Sequence, residues 1–326
     1  MRTRRSQSSS DPVPSPFDNP RGESRHQPVL LHEIVESLSI APDDIVVDAT
    51  LGGAGHAKSL ADRLGKKGML IGFDLDPEAI VRARRMLSTV KPKIHLVEAN
   101  FRHLQTELAK LGVKNVRAVL FDLGWSAYQL DSGLPGQGRG FSFLRAEPLL
   151  MTYGTRLDPD TLTAQKIVNE WREESIADVL WGWGEERYSR RIARAIVAER
   201  QRKPITSSLQ LAEIIAKAVP NAYRRGRINP ATRTFQALRI AVNDELGALS
   251  EGLKAAWQML SPGGRIAVIS FHSIEDRLVK HMFADWEKAN EGLRIYKKPL
   301  SPTKEELDKN PRARSAKLRV IKKLKV

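Results

Sequence analysis

Ile45-Val-Val-Asp-Ala-Thr-Leu-Gly-Gly-Ala-Gly-His56, followed by Leu70-Ile-Gly-Phe-Asp74, decides the fold class. An apolar run ends at Asp48 and enters a glycine-rich turn. A second apolar run ends about 20 residues further on at another acid, the spacing of a strand, a tight loop, a helix and a second strand tipped by a carboxylate. Glycines let a ligand approach the backbone, and an acid at the second tip accepts hydrogen bonds from ribose hydroxyls. The loop reads Gly-Gly-Ala-Gly-His, not the spaced G-x-G-x-x-G of dinucleotide sites. It therefore favours an adenosine cofactor without a diphosphate, such as S-adenosylmethionine.

The alternation extends on both sides of this pair. Helical spacing of Val29, Leu30, Ile34 and Leu38 precedes the first strand, Ile45–Asp48. A helix over about 56–64 leads to the second strand, Met69–Asp74. Pro77 opens a helix to about Leu87, since proline is tolerated in a first turn. A third strand, Ile94–Glu98, a helix over about 102–111 and a fourth strand, Val116–Leu120, ending in Phe121-Asp-Leu-Gly124, follow. Such alternation predicts an α/β fold, a doubly wound parallel sheet with helices on both faces. It then stops. Residues 125–155 read as loop, with Gly133, Pro135, Gly136, Gly138 and Gly140, and 158–218 read as helices. After Asn229-Pro230 one helix is predicted over about 232–260. Ser261-Pro-Gly-Gly264 turns the chain into a strand, Arg265–Ser270, and a last strand spans Ala316–Ile321. The expected organisation is a disordered tail (1–26), a first part of a Rossmann-like domain (27–127), a mostly helical insertion that recognises substrate (128–235), and a second part ending in a basic segment (236–326). An insertion at the carboxyl edge of such a sheet overhangs its ligand crevice.

Composition narrows the partners. The chain has 326 residues, no cysteine and a formal net charge of +15. The missing cysteines exclude a disulfide frame, a thiolate zinc site and a cysteine nucleophile. No apolar run reaches the roughly 20 residues of a membrane span. The charge is clustered: residues 294–326 hold twelve lysines and arginines against three acids, and 224–239 hold five arginines and no acid. Clustered positive charge calls for a polyanion, most often nucleic acid. Residues 1–26 are too poor in apolar groups to offset the entropy of ordering. Their opening Met-Arg-Thr-Arg-Arg-Ser hints at a transit peptide, but Asp11, Asp18, Glu23 and repeated prolines spoil the amphipathic helix one requires. A cytoplasmic location follows. The sequence does not choose between a monomer and a homodimer.

Three strand tips supply cofactor candidates: Gly52 to His56, Asp74, and the segment after Glu98, where Phe101 can lie on an adenine ring. His56 has no histidine or carboxylate at ligand spacing near it, so no metal is expected. Asp122, at the fourth tip, can accept a hydrogen bond from an exocyclic amine and orient its lone pair. Ser270, His272 and Glu275 follow the fifth strand and are candidates for lining a target-base pocket. The helix beginning near Arg187 buries Tyr188, Ile192, Ala195 and Ile196 and turns out Arg187, Arg190, Arg191 and Arg194. With Arg224, Arg225 and Arg227 these form either a solvated basic face or a phosphate-binding surface, and the second is the sharper expectation because arginine grips phosphate bidentately. Trp171, Trp181 and Trp183 are either core or stacking surfaces.

These residues resemble the bacterial small-subunit ribosomal RNA cytosine-N4 methyltransferases, the RsmH or MraW family. The resemblance rests on His26-Gln-Pro-Val-Leu-Leu-His-Glu33, Asp48-Ala-Thr-Leu-Gly-Gly-Ala-Gly-His56, Gly72-Phe-Asp-Leu-Asp-Pro77 and Phe121-Asp-Leu-Gly124. Gln129-Leu-Asp131, Arg139-Gly-Phe-Ser-Phe143, Gly184-Glu-Glu-Arg187, Pro230-Ala-Thr-Arg-Thr-Phe-Gln-Ala-Leu-Arg239 and Ser270-Phe-His-Ser-Ile-Glu-Asp-Arg277 extend it. It implies methyl transfer from S-adenosylmethionine to N4 of a cytidine in small-subunit ribosomal RNA, a step in ribosome biogenesis, with the RNA or the small subunit as partner. It implies cofactor contacts at Ala54, Gly55, His56, Asp74, Phe101, Asp122 and Gln129. The cytosine amine is conjugated with its ring and is a poor nucleophile, so alignment at Asp122 matters more than activation. Its base must be presented unstacked.

Two segments depart from the family pattern. Trp125-Ser126-Ala127 stands where a small aliphatic residue and two serines are usual. Ala146-Glu-Pro-Leu-Leu-Met-Thr-Tyr153 stands for Asp-Gly-Pro-Leu-Asp-Met-Arg-Met, losing two acids and an arginine. Two alternatives therefore stay open: an RNA assembly factor that binds cofactor without catalysis, and an amino-methyltransferase of another nucleic acid. The second lacks the proline-rich tip such enzymes usually carry, because the fourth strand ends in Asp122-Leu-Gly-Trp125.

Overall fold

A computed structural model describes residues 27–124 and 138–324. The N-terminal tail, Gln129 and the departure at 125–127 lie outside them. The four predicted strands form as β1 (Ile45–Asp48), β2 (Met69–Asp74), β3 (Lys93–Glu98) and β4 (Val116–Asp122). Helices α1 (Leu31–Leu38), α2 (Gly55–Ala61), α3 (Pro77–Met86) and α4 (Leu104–Lys110) accompany them, with a 3-10 turn over Phe101–His103. The insertion contributes α5 (Ala164–Glu170), α6 (Glu173–Gly184), α7 (Ser189–Arg200), α8 (Ser208–Ala218), the short α9 (Asn221–Arg224) and α10 (Ala231–Asn243). The chain returns through α11 (Glu245–Met259), β5 (Leu260–Ser270), α12 (Ser273–Lys288), β6 (Gly292–Arg294), α13 (Lys304–Lys309) and β7 (Lys317–Lys323).

The seven strands form one sheet in the order β3-β2-β1-β4-β5-β7-β6. The first five run parallel, while β7 is antiparallel to both β5 and β6. Successive residues point to opposite faces. Val46, Leu70 and Leu120 pack with α1, α2 and α3. Val47, Ile71 and Phe121 pack with α4, α11 and α12. Both faces are covered, which is why these strands read as continuous apolar runs. The insertion has its own apolar cluster, from Phe141 through the helices to Ala241.

Two expectations are corrected, and one strand, β6, had not been expected. The single helix over 232–260 is two helices, α10 and α11, broken at Asp244, whose φ is +45°. The break is held by side chains. Asn243 Nδ2 donates to the carbonyls of Met151 (2.7 Å) and Arg239 (2.9 Å), and its Oδ1 accepts from the Tyr153 amide (2.8 Å). Ser261–Gly264 does not precede β5 but bulges within it: Val116 pairs with Leu260, and Ala118 already with Arg265. The edge strand β6, three residues long, carries too little periodicity to be read from sequence.

The insertion is tied to the sheet at the start of α12, where Ser273 Oγ and Arg277 Nη2 donate to the Glu185 carboxylate (2.9 and 2.6 Å). Within the insertion, α6 meets α10 at Gly184. A Cβ there would lie 2.6 Å from the Arg233 carbonyl oxygen and 3.1 Å from Ala237 Cβ. Backbone cannot yield as a flexible side-chain end would, so Gly184→Ala should cost about 1–3 kcal/mol of overpacking, outweighing a gain of about 1 kcal/mol in helix propensity. The expected result is a lower urea midpoint with an unchanged m-value, and a midpoint at or above the parent's would refute the close approach.

Candidate active site

Parallel register brings the carboxyl ends of the strands to one edge, and the acids end there together. Asp48 pairs with Gly72 and Leu120, Asp74 with Glu98, and Asp122 with Ile269. Above this edge lies a cavity of about 1000 Å³, counting its open mouth. On one side it is lined by Gly52, Gly53, Gly55, His56, Asp74 and Phe101. On the other stand Asp122, Gly124, Tyr153, Asn243, Glu245 and Glu275.

The glycine loop is shaped by backbone bonds. The Leu51 amide donates to the Phe73 carbonyl (2.9 Å) and the Ala54 amide to the Leu51 carbonyl (2.6 Å). Gly52 has a φ of +48°, where a side chain would be strained. Asp74 accepts from the Gly52 amide on Oδ2 (2.8 Å) and from the Asp76 amide on Oδ1 (2.9 Å). It both fixes the loop and faces the cavity, and burial raises its pKa against these two bonds. Phe101 meets Phe121 edge-on, with ring centroids 5.4 Å apart. Ala54 is buried beneath the loop and does not line the cavity.

Below the loop lies a group of buried polar atoms with few partners. Asp48 is fully buried; its Oδ1 accepts from the Thr50 amide (3.1 Å). The Asp122 amide donates to Thr50 Oγ1 (2.7 Å), and Asp122 Oδ2 lies 3.4 Å from His56 Nε2. Among the described residues, Asp48 Oδ2, Asp122 Oδ1 and both ring nitrogens of His56 make no hydrogen bond. Buried polar atoms left in this state are costly unless a bound molecule completes them.

On the opposite wall Glu275 is where the sequence placed a pocket-lining candidate, whereas Tyr153, Asn243 and Glu245 were not announced by it. Glu245 accepts from Arg239 Nε (2.7 Å), Arg239 Nη2 (2.9 Å) and the Tyr153 hydroxyl (2.9 Å). Burial drives the Tyr153 pKa well up, so the hydroxyl stays a donor. Glu275 Oε2 accepts from the amides of Phe271 (3.0 Å) and His272 (3.3 Å), and His272 Nδ1 accepts from the Glu275 amide (3.3 Å): a capping box at the start of α12. Glu245, His272 and Glu275 offer one ligating atom each within 4.8 Å of one another, a grouping that sequence spacing cannot reveal. Both carboxylates are already engaged by these donors. Neither Ser270 nor His272 lines the cavity; the Ser270 hydroxyl faces the Lys317 carbonyl on β7, 3.5 Å away. Glu147, in the departing segment, is buried outside the cavity and accepts from the Gly140 amide (3.0 Å).

The arginines lie on the insertion. Arg191 and Arg194 are on the exposed face of α7, opposite buried Ile192 and Ile196; Arg194 approaches Glu173 at 3.6 Å yet remains 76% exposed. Arg187 precedes the helix, with its guanidinium 4.9 Å from the ring centroids of both Tyr188 and Tyr223. Arg187 and Arg227 line a second cavity with Tyr223, Gly226 and Arg233. Arg224 and Arg225 are exposed beside it. Trp171 and Trp183 pack against the insertion core, whereas Trp181 is 62% exposed.

A Rossmann-like sheet with a glycine loop, an acid on each of the first four strand tips and a cavity above them is a methyltransferase architecture. The model of the MraW methylase family matches residues 23–324, and the chain belongs to that family. It is 45% identical over 315 residues to the ribosomal RNA small subunit methyltransferase H of Brevibacillus brevis, covering 92% of this chain and 98% of that one. It is 40% identical over 317 residues to the protein of the same name from Clostridioides difficile, covering 93% and 100%. A solved rRNA methylase from Streptococcus thermophilus overlays 90% of this chain and 94% of its own, at 13% identity and a TM-score of 0.42.

Burial also makes the site pH-sensitive. Desolvation pushes the Asp48 pKa up to about 7, against the opposing pull of His56. An acid whose pKa is higher folded than unfolded holds its proton preferentially in the native state. Stability is therefore lost as pH rises from the ordinary carboxylate range through about 7. By linkage the effect is at most about 4 kcal/mol. The melting temperature should fall between pH 5 and pH 8, and Asp48→Asn should flatten that fall. An equal slope in the variant would remove Asp48 as its source.

Proposed function

We propose that this protein transfers a methyl group from S-adenosylmethionine to the exocyclic N4 amine of a cytidine in small-subunit ribosomal RNA, in the cytoplasm. The observation that carries the reading is half-buried Asp122 at the fourth strand tip, whose Oδ1 has no hydrogen-bond partner, standing between the glycine loop and the far wall. The residues suit the cofactor: a left-handed glycine in the loop, Asp74 facing the cavity at the second tip, Phe101 beside it, and buried acceptors without partners. Gly55, His56, Asp74 and Phe101 would hold it, with Ala54 setting the loop from beneath and Gln129 as a further contact. Bound there, S-adenosylmethionine supplies a methyl carbon activated by a positive sulfonium.

Asp122 Oδ1 accepts a hydrogen bond from one N–H of the amine and turns its lone pair toward the methyl carbon. As the nitrogen–carbon bond forms, the carbon–sulfur bond breaks, and the amine sheds one proton. Asp122 is the nearest acceptor for that proton, with His56 Nε2 3.4 Å behind it. The apolar walls from Leu249 and Leu123 limit water, which favours a reaction that disperses charge. Alignment supplies most of the rate.

Arg187, Arg191, Arg194, Arg224, Arg225 and Arg227 would hold the RNA backbone. Small ribosomal subunits from a strain lacking the enzyme should take labelled methyl from the cofactor into one cytidine of their RNA. Cofactor binding without label transfer would support a non-catalytic assembly role, and label elsewhere would support another substrate. Arg191→Glu with Arg194→Glu should weaken RNA binding about tenfold or more at moderate salt and flatten its salt dependence. Cofactor affinity, measured by calorimetry, should be unchanged. RNA affinity equal to the parent's would leave this face of α7 as a solvated surface.

A further inference from the structure

We infer that Tyr153 is a stacking wall for the target pyrimidine, a role that rests on the acceptor being an unstacked base beside Asp122. Tyr153 lines the cavity on the side away from the glycine loop, in company with Asp122, Glu245 and Glu275. It is held at every polar group. Its amide donates to Asn243 Oδ1 (2.8 Å), its carbonyl accepts from Arg139 Nη1 (2.5 Å), and its hydroxyl donates to Glu245 Oε1 (2.9 Å). Glu245 is itself gripped by two nitrogens of buried Arg239. Phe141 stacks on the ring, with centroids 5.9 Å apart and planes 21° apart, and the Arg139 guanidinium lies 5.9 Å from the Phe141 centroid. The ring is thus fixed before any ligand arrives, so little side-chain entropy is lost on contact.

A cytosine placed for transfer is planar, has left its own stack, and needs its amine held at a defined angle. An acceptor at one edge fixes the amine but not the tilt of the ring. A rigid aromatic wall beside that acceptor supplies the missing constraint, and every base has a face that can use it. The competing role is that of a strut, in which the hydroxyl bond to Glu245 matters and the ring does not.

Tyr153→Phe and Tyr153→Leu separate the two. Phenylalanine keeps the ring and loses the hydroxyl bond, while leucine loses both. With unmethylated small subunits as substrate, Tyr153→Leu should lower kcat/KM for RNA about tenfold further than Tyr153→Phe does, since both lose the hydroxyl bond and only leucine loses the ring. Cofactor affinity should be the same in all three. The second readout needs no turnover: the H5 and H6 resonances of free cytidine, added with S-adenosylhomocysteine, should shift upfield with the parent and Tyr153→Phe but not with Tyr153→Leu. Equal losses in both variants, or an upfield shift that persists in Tyr153→Leu, would overturn the stacking role. An upfield shift in a parent protein that transfers no methyl would sink the proposed reaction and leave the wall standing; absence of the shift in an active parent would do the reverse.

Discussion

The pairing of Arg239 with Glu245 across the break at Asp244 is the joint on which the site depends. On one side, α10 belongs to the core of the helical insertion. On the other, α11 packs against the sheet through Leu249 and Leu253. Two buried charges are expensive to desolvate, and the expense is tolerable only when geometry and further hydrogen bonds are complete. Here the guanidinium binds both carboxylate oxygens, the Tyr153 hydroxyl adds a third bond, and Asn243 ties the same turn to Met151 and Tyr153. Removing one partner would leave the other charge stranded, typically a loss of about 3–5 kcal/mol. The network therefore sets the angle at which the far wall of the cavity stands over the strand tips.

Most of the sheet could be read from the sequence because its strands are covered on both faces and punctuated by loops. Val46 and Val47 are equally apolar for different reasons, one facing α1 and α2, the other facing α4 and α11. Asp74 and Asp122 stand at strand tips that their apolar runs mark. Of the far wall, Asp122 and Glu275 were legible, and the contribution of the insertion was not. Tyr153 and Glu245 are 92 residues apart and meet only through the folded insertion. The break at Asp244 was hidden because the apolar spacing continues through it; what ends the helix is an asparagine side chain engaged with a distant carbonyl. Ser270 shows the converse. Its place after a strand suggested a cavity lining, but its hydroxyl is directed along the sheet toward Lys317.

Charge is distributed in opposite senses inside and outside. The chain carries a formal +15, yet the cavity above the strand tips is bordered by Asp74, Asp122, Glu245 and Glu275. Within the wall, buried Arg239 is bonded to Glu245 and also faces the charge of Glu275. Under the proposed function this separation has a use. Exposed arginines on α7 and around Arg224 attract a polyanion over a range set by the Debye length, about 8–10 Å at physiological salt. The interior acids favour a cofactor bearing positive charge. The polyanion and the cation are thus drawn to different parts of one molecule.

The position of β7 bears on how the sheet is assembled during translation. Residues 317–323 lie between β5 and β6, hydrogen-bonded to both. Neither neighbour can borrow the other as a substitute, since β6 reaches the sheet only through β7. While a ribosome is still making this stretch, β5 has an open edge, and apolar Leu318, Val320 and Ile321 have yet to arrive. The sheet therefore cannot close before residues 317–323 are made, and a nascent chain must keep that edge from pairing with strangers until its own strand emerges.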